Sequence, residues 1–346
     1  MQANMEGAMI KKVKIYLLII IMLTSSLGCC ANSVNRNSRV AGTDFSYQIS
    51  IDMYGKINVI GNPKENYDFS EWENIVSIAT GIDKAAALKS DGTVVITGEN
   101  VEAFYTEEWR DIIIIGFTYS YLFGLKKDGT IVYTGSTENM YDSENIEDDV
   151  FLNAENEIIE EIKSWKDIIF IDTTPISVVG VKRDGKVIAA APTSRALEEY
   201  VASWSNVKYI SVSTTQIIGV TYDDDILVAF NELSSIFCYR EPYNDFVGAK
   251  KICAGDYYVA GLMPDGKVKV RTIMLFKMPI EYFDTLTDEE KIKMHEKNQE
   301  NLNKSYETIN NVKDVIDIYS FEEYLIILQR DGTVLCVAEQ AGEDGY

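Results

Sequence analysis

A repeat with a fixed internal spacing constrains the fold of this chain more than any other feature of its sequence. Each of the four tryptophans lies twenty residues before the second residue of a hairpin turn. Those pairs are Trp72 with Gly92, Trp109 with Gly129, Trp165 with Gly185, and Trp204 with Asp224. Phe246 and Val312 keep the same spacing to Gly266 and Gly332. Six copies of one unit therefore align without a gap over their shared core.

Two further positions of the unit repeat as strictly as the tryptophan spacing. An isoleucine follows the leading position by six residues in every copy: Ile78, Ile115, Ile171, Ile210, Ile252 and Ile318. Sixteen residues after the leading position comes Leu or Val, and the residue just before it is Ala or Gly except at Ile327. A seventh, partial copy occupies 47–61 but has Asn35 where the leading aromatic is expected. We therefore expect its first strand to be weak or missing.

Each full unit has the sequence pattern of three strands. In the first unit these are Ile75–Ala79, Lys84–Lys89 and Thr93–Thr97, and the linker 99–108 leaves room for a fourth, outer strand. The pair Asp91-Gly92 suits a two-residue type I′ turn, because both residues tolerate positive φ. Seven four-stranded units predict an all-β fold, a seven-bladed β-propeller over 45–340 with a surface helical insert. A six-bladed ring with a loose N-terminal hairpin is the alternative.

The stretch WRDIIIIGFTYSYLFGLKKDGTIVYTG, residues 109–135, resembles the repeat of the regulator of chromosome condensation family, a seven-bladed propeller. The family's Gly-x-x-His element keeps its glycine at Gly81 and Gly255. Its histidine is replaced in all six units, by Lys84, Tyr121, Ser177, Gln216, Tyr258 and Tyr324. The resemblance implies the fold, with the tryptophans and the small residues packing between blades. Nucleotide exchange on a nuclear GTPase, the activity of the best-known member, is not expected here.

The N-terminus resembles a bacterial lipoprotein signal. A basic segment with Lys11, Lys12 and Lys14 precedes the apolar stretch 15–23, and Ser26-Leu27-Gly28 then leads to Cys29. This pattern predicts removal of 1–28, lipid attachment at Cys29 and a polar tether over 29–44. Cys30 is an alternative attachment site, and an uncleaved anchor or an ordinary signal peptide stays open. Residues 341–346 form a C-terminal tail.

Charge and residue types limit the chemistry of this chain. Its 54 acidic and 32 basic residues give a net charge of −22, which repels nucleic acid. Cys238, Cys253 and Cys336 have no metal-ligand spacing and suggest packing. The single histidine, His295, lies in a charged stretch, and the acidic run 142–149 lacks the glycine and closing glutamate of a calcium loop. We therefore predict no catalytic, cofactor or metal residues.

Two inserts break the period of the repeat, at 136–164 and 273–311. The capping-box pattern Thr287-Asp-Glu-Glu290 predicts a helix over 288–308, and Ile158, Ile159 and Ile162 indicate a shorter one. We expect a monomeric, lipid-anchored, extracytoplasmic module that binds a protein or glycan partner through these inserts or, failing that, at the central funnel. The alternative for the inserts is that they only cover a blade edge. Two alternatives remain for the function: a membrane assembly scaffold, and a cell-surface enzyme that acts on carbohydrate or peptide through carboxylates at the propeller mouth.

Overall fold

The structure is a computed structural model of the 346-residue chain. It describes residues 11–14, 39–44, 47–51, 57–61, 66–70, 72–81, 83–136, 146–192, 194–230, 243–256, 258–272, 287, 289–290, 293, 297, 309, 311–321, 324–330 and 333–338.

Seven small antiparallel sheets form the blades of the molecule. Blade 1 contains β2 Val40–Asp44, β3 Tyr47–Ile51 and β4 Ile57–Gly61, and blade 2 contains β5 Ile75–Gly81, β6 Lys84–Lys89 and β7 Val94–Gly98. Blade 3 contains β8 Ile112–Phe117, β9 Tyr121–Lys126 and β10 Ile131–Gly135, and blade 4 contains β11 Ile168–Thr174, β12 Ser177–Lys182 and β13 Val187–Ala190. Blade 5 contains β14 Val207–Val212, β15 Gln216–Thr221 and β16 Ile226–Phe230, and blade 6 contains β17 Lys251–Ala254, β18 Tyr258–Leu262 and β19 Val268–Thr272. Blade 7 contains β20 Val315–Phe321, β21 Tyr324–Gln329 and β22 Thr333–Ala338. The helices are α1 Ile146–Ile162 and α2 Arg195–Ala202, with 3-10 turns at Val101–Ala103 and Asn244–Phe246.

The seven blades form a closed ring. The first strand of each blade contacts the first strand of the next, from β2 through β5, β8, β11, β14 and β17 to β20. Strand β20 in turn contacts β2, which joins the last blade to the first. The prediction of seven blades is therefore confirmed, and the first strands surround the central axis.

The first blade differs from its prediction. Its leading strand is present as β2, Val40–Asp44, and it pairs antiparallel with β3. No aromatic residue marks this strand, because an edge strand held by backbone hydrogen bonds needs none. This strand lies inside the stretch predicted to be a tether, so the ring begins before residue 45.

The outer edges of the blades also differ from the four-stranded prediction. Among the described residues, six of the seven sheets contain three strands each. Where the sequence left room for a fourth strand, the chain forms the turn Val101–Ala103, α1, α2 or the turn Asn244–Phe246. Within the described parts of the chain, the last blade alone has a fourth strand, β1 Lys11–Lys14, which pairs with β22.

The hairpin turns show why Asp-Gly repeats. Gly92 alone of its pair has positive φ, at 82°, so the predicted type I′ turn is wrong. The N–H of Gly92 donates to Lys89 O at 3.0 Å and Lys89 N–H donates to Thr93 O at 2.9 Å, as in a type I turn followed by a G1 bulge. Asp91 Oδ1 accepts hydrogen bonds from the N–H and hydroxyl of Thr93 at 2.9 and 2.7 Å. The aspartate thus fixes the turn by its side chain.

The same turns join neighbouring blades. The carbonyl of Gly92 accepts a hydrogen bond from Ile112 N–H at 3.1 Å, at the start of the next blade. Gly129 and Gly185 accept equivalent bonds from Ile168 and Val207. A second repeating position supports this contact: the residue two after the leading position has positive φ and is Asn74, Asp111, Asp167, Asn206, Gly248 or Asp314.

The hydrophobic core is divided into clusters between consecutive blades. Trp109, for example, packs with Leu88 and Val94 of blade 2 and Ile112 of blade 3. The small-residue column lies against the leading aromatic of its own unit: a Cβ on Gly124 would approach Trp109 to 2.8 Å, and one on Gly261 would approach Phe246 to 2.5 Å. The leading aromatics thus pack between blades, and the small residues make room for them rather than for a neighbouring blade.

The inserts are helical where they are described. Helix α1 extends further than its pattern predicted, and Ile158, Ile159 and Ile162 pack between blades 3 and 4. In the second insert Glu290 accepts hydrogen bonds from the N–H and hydroxyl of Thr287 at 2.8 and 2.7 Å, which confirms the capping box. Residues 289, 290, 293, 297 and 309 are helical, and the remainder of the predicted helix lies outside the described residues.

Candidate functional site: the central cavity

A cavity of about 180 Å³ lies at the axis of the ring. The first strands of blades 2 to 7 form its wall, together with the residue that precedes β17. Its charged and aromatic lining residues are Phe170, Asp172, Tyr209, Lys250, Lys251 and Tyr319. Hydroxyl groups, the Cys253 thiol and isoleucines complete the wall. The cavity thus combines an apolar surface with a few polar groups, which is typical of ligand sites.

Strand alternation determines which side chains reach this wall. The repeated isoleucines face the preceding blade: Ile171 packs in a cluster with blade 3, and Ile210 in one with blade 4. The residues on either side of them face the following blade, as Tyr209 and Cys253 show by their clusters. Positions five and seven after the leading residue therefore supply most of the polar groups of the cavity.

The position seven after the leader provides hydrogen bonds from blade to blade. Asp172 Oδ2 accepts from Val212 N–H at 2.8 Å, and Ser211 Oγ accepts from Ala254 N–H at 3.0 Å. Cys253 Sγ donates to Ile318 O at 3.3 Å. The innermost strands have a free edge toward the axis, and these side chains satisfy backbone groups that no further strand can pair.

A buried ion pair closes one side of the cavity. Lys251 Nζ lies 2.8 Å from Asp317 Oδ1, and the same oxygen accepts Ile318 N–H at 2.9 Å. Tyr319 donates its hydroxyl proton to the other carboxylate oxygen, and Lys251 Nζ lies 4.0 Å from the centre of the Tyr319 ring. The carboxylate of Asp317 is therefore fully engaged, and Lys251 is held by two partners.

Asp172 stands apart from that pair. Burial raises the pKa of its carboxyl group to about 6, although the N–H groups of Val212 and Thr173 and the charge of Lys251 act in the opposite direction. The side chain keeps partial exposure to the cavity. Raised pKa values of this kind cluster at functional sites.

Burial favours the neutral form of the thiol and of the two tyrosines in the wall. Burial raises the pKa of the Cys253 thiol to about 12 and the pKa of Tyr209 above its ordinary value. The pKa of Tyr319 is also raised, by burial and by Asp317. A thiol that stays protonated is a poor nucleophile, so Cys253 has the properties of a packing residue, as predicted.

Two side chains at the position twelve after the leading residue form a second set of links between blades. Gln216 Nε2 donates to the carbonyls of Gly255 and Tyr258 at 2.9 and 3.0 Å, and the Tyr258 hydroxyl donates to Tyr324 O. Gln216 and Tyr258 thus each reach the equivalent position of the following blade.

Lys84, in the same column, is almost completely buried and is linked to the first insert. Its Nζ lies 5.5 Å from the centre of the Phe104 ring, and burial lowers its pKa while Asp83, Glu99 and Glu155 raise it. Glu155 of α1 is 1% exposed and accepts hydrogen bonds from Thr118 Oγ1 and Ser120 N–H at 2.9 and 2.7 Å. The inner face of α1 is therefore part of the scaffold.

The predicted repeat residues lie outside the cavity. Trp72, Trp109 and Trp165 are buried between blades, and Trp204 packs in the same way at partial exposure. Gly92, Gly129, Gly185 and Gly266 occupy turns with positive φ between 79 and 87°, whereas Gly332, Cys29 and His295 lie outside the described residues. The described part of the chain contains no group of three potential metal ligands and no helix long and apolar enough to cross a membrane. Cys253 and Cys336 form no disulfide among the described residues.

The residues that line the cavity were not identified from the sequence, although the repeat contains a signal for them. Strand alternation around the repeated isoleucines places the flanking positions on the opposite face of each first strand. Those flanking positions carry Phe170 and Asp172 in one unit and Lys251 and Cys253 in another. The repeated isoleucine is the same in every full unit, whereas the residues on either side of it differ from unit to unit. These variable flanking positions are the ones that face the axis of the ring.

Comparison with known proteins identifies the fold alone. No protein-family model matches the sequence, and no curated protein does. The CRINKLY WD40 ectodomain of the Arabidopsis thaliana receptor kinase ACR4 is similar, with a TM-score of 0.54 and 8% identity over 87% of this chain and 95% of that chain. Human WBSCR16 has a TM-score of 0.50 and 8% identity, covering 87% and 86%. Both support a β-propeller.

A third similar structure is Prp20p from Saccharomyces cerevisiae, the yeast RCC1 protein, described with its binding properties to Gsp1p and histones. It has a TM-score of 0.47 and 11% identity over 86% of this chain and 82% of that chain. This agreement is too weak to add to the argument, and the assignment as a propeller rests on the ring itself.

Proposed function

We propose that this chain is a binding module, anchored by lipid at Cys29 outside the cytoplasm, whose rigid propeller presents a ligand site at its central cavity. The observation that carries the proposal is that polar and aromatic side chains from several blades converge on one cavity at the axis. A framework that repeats this regularly provides stiffness, and specificity then resides where the repeat varies. The cavity wall is such a place.

The proposed anchoring is compatible with the layout of the ring. All seven blades are built from residues 40–338, so removal of 1–28 would leave each blade with its three strands. Such cleavage would also remove β1, Lys11–Lys14, and expose the edge of β22. The strand β1 then belongs to the uncleaved chain only.

Binding of a protein partner is the favoured role because the first insert breaks the repeat and carries a helix with exposed polar side chains. The net charge of −22 argues against nucleic acid as the partner, because the phosphate backbone is repelled by an acidic protein. On α1, exposed Asn153, Glu157 and Glu160 leave a polar outer face for the partner that the first insert was predicted to bind.

An enzyme acting on carbohydrate or peptide is the second candidate, because Asp172 combines a position in the cavity with a pKa of about 6. Glycoside hydrolysis ordinarily needs two carboxyl groups that face each other. Among the described residues that line the cavity, Asp172 is the single carboxylate, and Asp317 behind the wall is engaged by Lys251 and Tyr319. Binding therefore has the stronger support.

Cys29→Ser in cells tests the anchoring. The wild-type chain should take up a palmitate analogue and fractionate with membranes, and the variant should lose both, because several acyl chains anchor far more firmly than one. Persistent labelling of the variant would assign the lipid to Cys30. Retention in membranes without label would indicate an uncleaved anchor.

Crosslinking in cells followed by titration tests the binding role. The captured partner, once purified, should bind the chain saturably and with fixed stoichiometry. Failure of every captured protein to bind in this way would contradict a protein-binding module.

A further inference from the structure

We propose that the central cavity binds a small organic molecule through an ammonium group, with Asp172 as its counter-ion. The inference rests on the proposed function, since it names the chemistry of the ligand that the module would hold. Two features of the cavity carry it: a carboxylate that forms no ion pair among the described residues, and a wall of aromatic rings.

Asp172 has room for a cation. Within the described part of the chain it forms no ion pair, and its partners are the N–H groups of Thr173 at 3.0 Å and Val212 at 2.8 Å. Each carboxylate oxygen therefore keeps acceptor capacity. Lys251, the cation nearest in the wall, is already paired with Asp317. A desolvated carboxylate is stabilised strongly by a positive charge, and the ligand would supply it.

Aromatic rings surround the same space. Phe170 and Tyr209 line the cavity with ring centres 6.5 Å apart and planes tilted by 50°, and Tyr319 completes the wall. Lys251 above Tyr319 shows that one of these rings already accepts a cation on its face. Aromatic faces beside a carboxylate are the usual environment for organic ammonium groups.

Lys250 adds a second polar group. It is exposed and lines the cavity, so it favours a ligand that carries a carboxylate beside its ammonium group.

The size and the ligand count favour an organic cation over a metal ion. A cavity of about 180 Å³ is smaller than the ~300–1,000 Å³ of sites for drug-sized molecules, so the ligand should have few heavy atoms. Calcium takes about six to eight oxygen ligands. Asp172 is the one acidic residue lining the cavity in the described chain.

Isothermal titration of the purified chain with ethanolamine, choline, glycine and alanine tests the inference, with calcium chloride as a separate arm. At least one ammonium compound should bind saturably at one site per chain. Asp172→Asn should weaken that binding by about tenfold or more, because a charge-assisted hydrogen bond is lost. Glu160→Gln, on the exposed face of α1, is the matched control and should bind as the wild type does.

Ile114→Phe provides a second variant, because Asp172 also holds Val212 and its replacement could disturb the ring. The larger side chain, on the neighbouring strand β8, narrows the cavity beside Asp172 and should abolish ammonium binding while circular dichroism shows an intact fold. Absence of saturable binding by all four compounds, undiminished binding by Asp172→Asn, or binding of calcium in their place would overturn the inference. Capture of a protein partner in spite of such a result would leave the proposed function standing.

Discussion

Replacement of Asp317 by alanine tests the physical account of the cavity wall. The substitution removes a carboxylate that accepts three hydrogen bonds, from Lys251 Nζ at 2.8 Å, from Ile318 N–H at 2.9 Å and from the Tyr319 hydroxyl. Asp317 is 4% exposed, and the Lys251 side chain is 20% exposed. The variant therefore leaves one partly buried cation and one buried hydroxyl without their acceptor.

The expected loss in the free energy of unfolding follows from the groups that Asp317→Ala leaves unpaired. Removing one partner of a buried ion pair typically costs about 3–5 kcal/mol, because the remaining charge stays desolvated. We expect a loss of about 4 kcal/mol in the free energy of unfolding for Asp317→Ala. Replacing both partners, as in Lys251→Met with Asp317→Leu, should restore most of that loss, since an apolar pair of similar volume leaves no charge behind.

Urea unfolding followed by tryptophan fluorescence measures these differences, since the tryptophans lie between blades and report on the ring. Glu160→Ala is the matched control: its ion pair with Lys163 is exposed, with side chains 73% and 50% accessible, and its loss should change stability by less than ~1 kcal/mol. A cost for Asp317→Ala as small as that of Glu160→Ala would refute the reasoning. A double variant no more stable than Asp317→Ala would refute it as well.

Four further outcomes are expected from the same assay. Glu155→Ala should cost about 3–5 kcal/mol, because it removes the acceptor of two hydrogen bonds beside the buried Lys84; a loss below ~1 kcal/mol would show that α1 is not part of the scaffold. The raised pKa of Asp172 favours folding when the group is protonated, so its contribution is lost as pH rises from about 4 to about 6. The stability of the wild type relative to Asp172→Asn should accordingly fall by up to about 3 kcal/mol between pH 4 and pH 7, and a difference independent of pH would contradict the assigned pKa. Gly219→Ala should cost about 1–3 kcal/mol, because its Cβ would approach the Trp204 ring to 2.8 Å; an unchanged melting temperature would show that the ring moves aside freely. Deletion of 45–61 should remove several kcal/mol of stability by opening the ring, whereas a fully stable product would favour six blades.

The blade count and the packing role of the tryptophans were predictable because both depend on local, repeated contacts. Trp109 and Gly124 form a pair within one unit, and that pair leaves the same spacing in each copy. The leading strand of the first blade was not predictable, because Val40–Asp44 is held by backbone pairing and by closure against β20. The outer strands were predicted wrongly because a linker of sufficient length does not specify whether it pairs or forms a helix.

The cavity could not be assembled from the sequence because it exists only once the ring closes. Asp172 and Lys251 lie two blades apart, and nothing in their spacing indicates that they share one wall. Glu155 illustrates the same limit, because a glutamate in an acidic helix resembles its solvated neighbours until its partners Thr118 and Ser120 are known. The position of a residue in the repeat predicts which face of its strand the side chain lies on. Closure of the ring then determines which residues of other blades that side chain contacts.

The most direct test of the binding role is a comparison of binding with turnover on the purified chain. A panel of glycans and peptides is titrated for heat of binding, and the same mixtures are then analysed by mass spectrometry for products. The account predicts saturable binding by at least one compound with no product at any incubation time. Steady formation of product that falls in Asp172→Asn and not in Glu160→Gln would contradict it and would identify the cavity as a catalytic site.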